Sequence, residues 1–222
     1  MDYYITLNHG QEQYEVALWH QETMLASRKE AKYEVSKHAV TVIDTLLNAH
    51  QKTIFDLDGI VLNAGPGPFA TLRALVTIAN ACNFAAHVPL IGVNSLEALV
   101  KHYPSRDIVI ALLNAFNKEL YFALQEKEKP LAMGCAPYMT LLTRIKEQYP
   151  QQTVHFIGQG AALYGADIKA LYQEYAYIPD PLPHFCSTEQ LAALGREKWK
   201  QGETTMHVTP LYLKNLSYSP AL

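Results

Sequence analysis

The sequence has only three cysteines, Cys82, Cys135 and Cys186, far apart and without a C-x-x-C pair. An odd, scattered set argues against a disulfide framework and a structural zinc site, and it fits a reducing compartment. Charge is scarce too: charged residues make up 18% of the 222, and the formal net charge is -3. Without concentrated Lys and Arg the chain has no electrostatic footprint for gripping nucleic acid by itself. Short basic groupings such as Arg28-Lys29 therefore read as solvated faces. No G-x-S-x-G elbow, H-E-x-x-H helix or G-K-[ST] phosphate loop occurs, so no catalytic residue and no metal ligand is assigned. Met1 leads directly into Asp2 and a strand-like run, without the basic start and apolar core of a leader, and no later run reads as long enough to span a bilayer. The expected location is cytoplasmic.

What is present is ordinary globular material, 49% hydrophobic, enough for one large domain or two small ones. Residues 3–8, 13–20 and 22–28 alternate as three strands separated by turn signals, which predicts an antiparallel meander. Residues 33–50 carry Ala39, Val42, Ile43, Leu46 and Leu47 at helical spacing, with Ser36 a candidate cap. A strand at 59–62, a helix from Phe69 to about His87, a strand at 89–93 and a short helix to Tyr103 follow. After the turn signal Pro104-Ser105-Arg106-Asp107 a similar order starts again, with strands at 108–113 and 119–125 and a strand or loop to Met133. A helix at 138–148, a strand at 153–157, a Gly158-Gln159-Gly160 turn and a helix at 161–174 complete it. The repeated order predicts a duplicated α/β fold with two lobes, 1–104 and 105–222. An extended proline-rich loop at 179–183, a helix at 187–201 and a short extended segment at 210–214 close the chain.

The chain is organised around Asn63-Ala64-Gly65-Pro66-Gly67-Pro68-Phe69-Ala70, where a buried strand turns into a long apolar helix. Between Phe69 and Ala86 that helix carries one charge, Arg73, and Ala70, Ala74, Ala79, Ala81, Ala85 and Ala86 keep its surface small. A helix apolar nearly all round needs cover on both sides, which points to a partner protein. The turn satisfies a G-x-G-x-x-A dinucleotide pattern, but Pro66 and Pro68 remove two backbone donors and Asn94 stands where an acid is required. A tight structural turn is the preferred reading. Asp56 and Asp58 read as turn residues, His184 and Cys186 lack further ligands, and His38 reads as an exposed histidine in the first helical turn. The strand ends offer Asn63, Asn94 and Asn114 rather than acids, which argues against a nucleotide-metal enzyme.

The motif from Asn63 to Arg73, followed by Val88-Pro89-Leu90-Ile91-Gly92-Val93-Asn94-Ser95-Leu96-Glu97-Ala98-Leu99, resembles the G-P-G-S-F-T-G-L-R and P-L-x-G-V-S-S-L-E-A-L signature of the TsaB family. Val16-Ala17-Leu18-Trp19, His38, Glu119-Leu120-Tyr121-Phe122-Ala123 and Pro210-Leu211-Tyr212-Leu213-Lys214-Asn215 echo it along the chain. The resemblance implies a duplicated two-lobed actin-like, sugar-kinase-like (ribonuclease H-like) fold. It also implies a non-catalytic subunit supporting a TsaD-like enzyme that transfers threonylcarbamoyl to adenosine beside the tRNA anticodon. A TsaE-like ATPase would complete the machinery, tRNA would be met only through the complex, and no membrane is involved. The helix pair would be the interface, through His38, Val42, Leu46, Phe69, Ala70, Arg73, Ala74, Thr77 and Ala81, shared with the TsaD-like subunit or with a second copy as a homodimer. No cofactor is assigned to this chain, and ATP or ADP at the joint with TsaD stays open. The chain departs from the family pattern at Ile5-Thr6-Leu7-Asn8, Asn114-Ala115-Phe116, Pro68 and Ala70-Thr71, each change removing a group usable on phosphate or metal. The alternative is a glycoprotease-like or nucleotide-binding hydrolase or kinase of the actin-like superfamily.

Overall fold

The computed structural model describes residues 1–104, 107–127 and 129–215, so the predicted turn at Pro104-Ser105-Arg106-Asp107 lies partly outside the described residues. Two compact units emerge. The first joins Met1–Ser95 to Ser187–Leu211, and the second comprises Leu96–Cys186 with the described residues from Tyr212 onward. The division thus differs from a single cut after residue 104, because the last helix returns to the first unit.

The first unit holds a five-stranded sheet ordered β3-β2-β1-β4-β5. Strands β1 (Tyr3–His9), β2 (Gln13–His20) and β3 (Thr23–Ala31) form the expected meander, and β4 (Gly59–Gly65) and β5 (Leu90–Asn94) run parallel to β1. Strand β4 is apolar at consecutive positions because both faces are covered. Ile60 and Leu62 enter the core beneath helices α1 (Val35–Ala49) and α2 (Phe69–Ala86), together with Val42, Leu46, Leu72 and Leu75. Val61, of opposite parity, faces helix α7 (Thr188–Lys200), where a Cβ on Gly195 would overlap its methyl groups. That glycine lets helix and sheet approach closely.

The second unit repeats the plan. Its sheet is ordered β10-β9-β6-β7-β8, built from β6 (Ile108–Asn114), β7 (Glu119–Gln125), β8 (Ala132–Pro137), β9 (Val154–Ile157) and β10 (Ala176–Tyr177). Helices α4 (Tyr138–Gln148), α5 (Gln159–Leu163) and α6 (Gly165–Tyr172) cover a core around Ile110, Leu112, Phe122, Phe156 and Tyr172. Helix α3 (Ser95–Lys101) follows β5.

Several local expectations change. Ser36 is no cap: a 3-10 turn at Lys32–Glu34 leads into α1, whose N-cap is Glu34. The helix expected at 161–174 is broken at Tyr164, just before Gly165, into α5, α6 and a 3-10 turn, glycine being a weak helix former. Helix α2, at 18 residues, is long and apolar enough to cross a membrane by length and composition, contrary to the expectation that no run is. Its Leu72, Leu75, Val76 and Ala79 are nevertheless buried in the first unit's core.

A candidate partner face and the turn beneath it

Helix α2 begins without a side-chain cap at Pro68, whose fixed φ suits helix entry, and ends at His87 in the left-handed region. Two asparagines fasten its inner side. Asn80 exchanges two hydrogen bonds of 2.9 Å with the backbone of Val208, and buried Asn83 donates to the Val88 carbonyl at 2.8 Å. The outer side is another matter. Ala70, Arg73, Thr77, Ala81 and Phe84 fall at helical spacing and are all exposed, with Ala74, Ile78 and Cys82 half-buried beside them. Phe69 is 60% exposed near one end and Phe84 86% at the other. Arg73, the one charge, lies 5.0 Å over the Phe69 ring. An apolar strip with a solvent-exposed aromatic ring near each end is the surface expected of a protein interface.

Of the nine residues assigned to the partner face, Phe69, Ala70, Arg73, Ala74, Thr77 and Ala81 do share this strip. Val42 and Leu46 do not: at 4% and 8% exposure they belong to the first unit's own core. The helical period places them on the inner face of α1, where the sheet claims them. His38 is exposed on α1 with the Glu34 carboxylate 3.7 Å away. Val40, at 61% exposure, is an apolar residue of α1 that the sequence reading passed over.

Beneath the helix lies the turn at the carboxyl ends of β1, β4 and β5. Asn63 accepts from the Gly65 N–H at 3.0 Å and donates to the Asn8 side chain at 2.9 Å. The Asn8 oxygen also accepts the His9 N–H at 2.9 Å, and its amide lies 3.4 Å from the Thr188 hydroxyl, which donates to Glu15 at 2.6 Å. The Ser95 hydroxyl sits 3.2 and 3.3 Å from the Gly65 and Pro66 carbonyls. These polar groups satisfy one another, as buried polar groups must. His9 is the exception. It is 4% exposed, its Nε2 has no partner, and burial pushes its imidazole down to about 4. A Cβ added at Gly67 would overlap the edge of its ring.

Among the described residues no three His, Cys, Asp or Glu side chains gather to hold a metal. Asp56, the last residue of a 3-10 turn at Ile54–Asp56, accepts from the Thr53 N–H and hydroxyl at 2.7 and 2.8 Å, and Asp58 accepts from the Tyr3 N–H at 3.1 Å, so both carboxylates serve nearby backbone groups. Gly158 is required by the backbone: its φ is 89° and a Cβ there would strike the Leu112 carbonyl. One constellation escaped the sequence reading. His155 lies between the Tyr103 hydroxyl at 3.3 Å and the Asp107 carboxylate at 3.2 Å, residues that only the sheet brings together. Burial raises the Tyr103 phenol above its ordinary range, so it remains protonated and is a poor nucleophile.

The family model for TsaD, tRNA N6-adenosine threonylcarbamoyltransferase, matches residues 26–195. The tRNA threonylcarbamoyladenosine biosynthesis protein TsaB of Bacillus subtilis (strain 168) is 26% identical over 190 residues, 82% of either chain. The solved YeaZ of Pseudomonas aeruginosa superposes with a TM-score of 0.71 at 22% identity, over 96% of this chain and all of that one. An inorganic polyphosphate/ATP-glucomannokinase from Arthrobacter sp. strain KM superposes at 0.51 with 10% identity, over 90% of this chain and 100% of that one. The two-lobed actin-like fold follows from these likenesses and from the repeated strand order.

Proposed function

Since the chain belongs to the tRNA N6-adenosine threonylcarbamoyltransferase (TsaD) family and within it resembles TsaB proteins, we propose that it is a non-catalytic subunit of threonylcarbamoyladenosine synthesis. Its role is to bind and order a TsaD-like catalytic partner. The observation that carries this reading is the outer strip of α2, which presents small side chains between the exposed rings of Phe69 and Phe84. Small residues let a partner helix approach closely, and fully burying a Phe side chain contributes about 1.5–3 kcal/mol. The inner side of the same helix is fixed to the first unit by Asn80, Asn83 and the core, so the strip is presented without much loss of backbone freedom on binding.

Within this reading tRNA is met through the complex, a TsaE-like ATPase acts on the assembly, and any ATP or ADP sits at the joint with the partner. The setting is cytoplasmic. A second copy covers the strip when the catalytic partner is missing.

Co-expression with the same organism's TsaD-like protein, followed by size-exclusion chromatography with light scattering, tests the proposal. A one-to-one complex is expected, and Ala81→Glu, which places a charge in the exposed strip without touching the core, should abolish it. A wild-type chain that ignores the catalytic protein would sink the reading.

A further inference from the structure

The fold is shared with an ATP-named kinase, and in such α/β units phosphate is met beyond the carboxyl ends of the strands, against a helix N-terminus. In the first unit that position lies between the end of β1 and the start of α2. The residues there do not fit a nucleotide. Pro66 and Pro68 lack N–H groups, Asn63 takes the Gly65 N–H, and the strand ends carry Asn8, Asn63 and Asn94 in place of carboxylates for a divalent cation. The nearby acid, Glu15, accepts from Thr188 and has Lys29 at 3.7 Å.

The ring of His9 adds something that missing acids do not. Gly67 has no left-handed φ to explain it, unlike Gly65 and Gly158. What it lacks is the Cβ that would overlap the His9 imidazole. The ring edge therefore fills the space over the turn, directly before the uncapped first turn of α2. A buried imidazole with an unpartnered nitrogen is costly, a cost that the rest of the fold must offset.

We propose that His9 closes this position: its imidazole stands where a bound oxyanion would sit and holds the first unit shut against nucleotide phosphate. The closure operates in the isolated chain and does not depend on the partner reading, so either can fail without the other.

The full chain is titrated with magnesium pyrophosphate and with magnesium ADP, following the backbone amide signals of Gly67 and Ala70 by NMR and the heat by calorimetry. The wild type should show no saturable response. His9→Ala, and the milder His9→Ser, should bind pyrophosphate at least about tenfold more tightly than the wild type, the factor that one hydrogen bond to an ionised group supplies. Shifts at Gly67 and Ala70 should accompany that binding, and dispersed amide spectra would verify that the variants are folded. Saturable wild-type binding with those shifts would overturn the proposal. So would two folded variants that remain silent.

Discussion

The two histidines that matter show what a residue's neighbours add to its identity. His38 was readable as an exposed side chain because it opens an amphipathic helix, and it is exposed. His9 was not readable, because a histidine before a glycine at a strand end looks like a turn. Its burial depends on Gly67, which only the fold brings near. The consequence is measurable. With the folded-state imidazole pulled down to about 4 from an ordinary value of 6.5, the native state binds fewer protons than the unfolded chain. Stability from this group is fully present above pH 6.5 and is lost as the pH falls toward 4, up to about 3 kcal/mol. Urea unfolding at pH 7 and pH 4.5 should show this fall in the wild type, and His9→Gln should lose much of the difference between the two pH values. Equal pH dependence in both proteins would show that His9 does not carry it.

At the scale of elements, α2 was legible almost to the residue, since a proline start and a following Pro89 bracket one uninterrupted apolar pattern. Helix α7 starts at a capping box, in which the Ser187 side chain accepts the Gln190 N–H at 3.2 Å. What periodicity could not supply was the assignment of faces. Val42 and Leu46 share the helical stripe that the sheet buries, whereas Ala70, Thr77 and Ala81 share the one it leaves bare. Nor does any local pattern foretell that Asn80 on α2 meets Val208, 128 residues away. Asn80→Ala leaves the Val208 N–H and carbonyl without their partner, at a cost of about 2 kcal/mol for half-buried groups. A lower Tm with unchanged far-ultraviolet circular dichroism is the expected result. An unshifted Tm would mean that water replaces the amide.

For the whole molecule the duplicated plan was visible as a repeated order of elements, and the sheets obey it, 3-2-1-4-5 in each unit once renumbered. The domain boundary was not visible, because a sequence pattern cannot say which sheet a terminal helix will cover. Helix α7 covers the Val61 side of the first sheet, with Gly195 against Val61 and Arg196 donating to the Tyr4 hydroxyl at 2.7 Å. A fragment of residues 1–104 should therefore aggregate or stay molten, whereas residues 1–95 linked to 187–211 should give a dispersed amide spectrum. A well-folded 1–104 fragment would show that α7 is dispensable. The same arrangement sets an order on synthesis. The unit whose strands leave the ribosome first waits for residues 187–211 to complete it, while the second unit has most of its chain available earlier. Until then the far side of the first sheet stands bare, and that interval is when a chaperone has most to do.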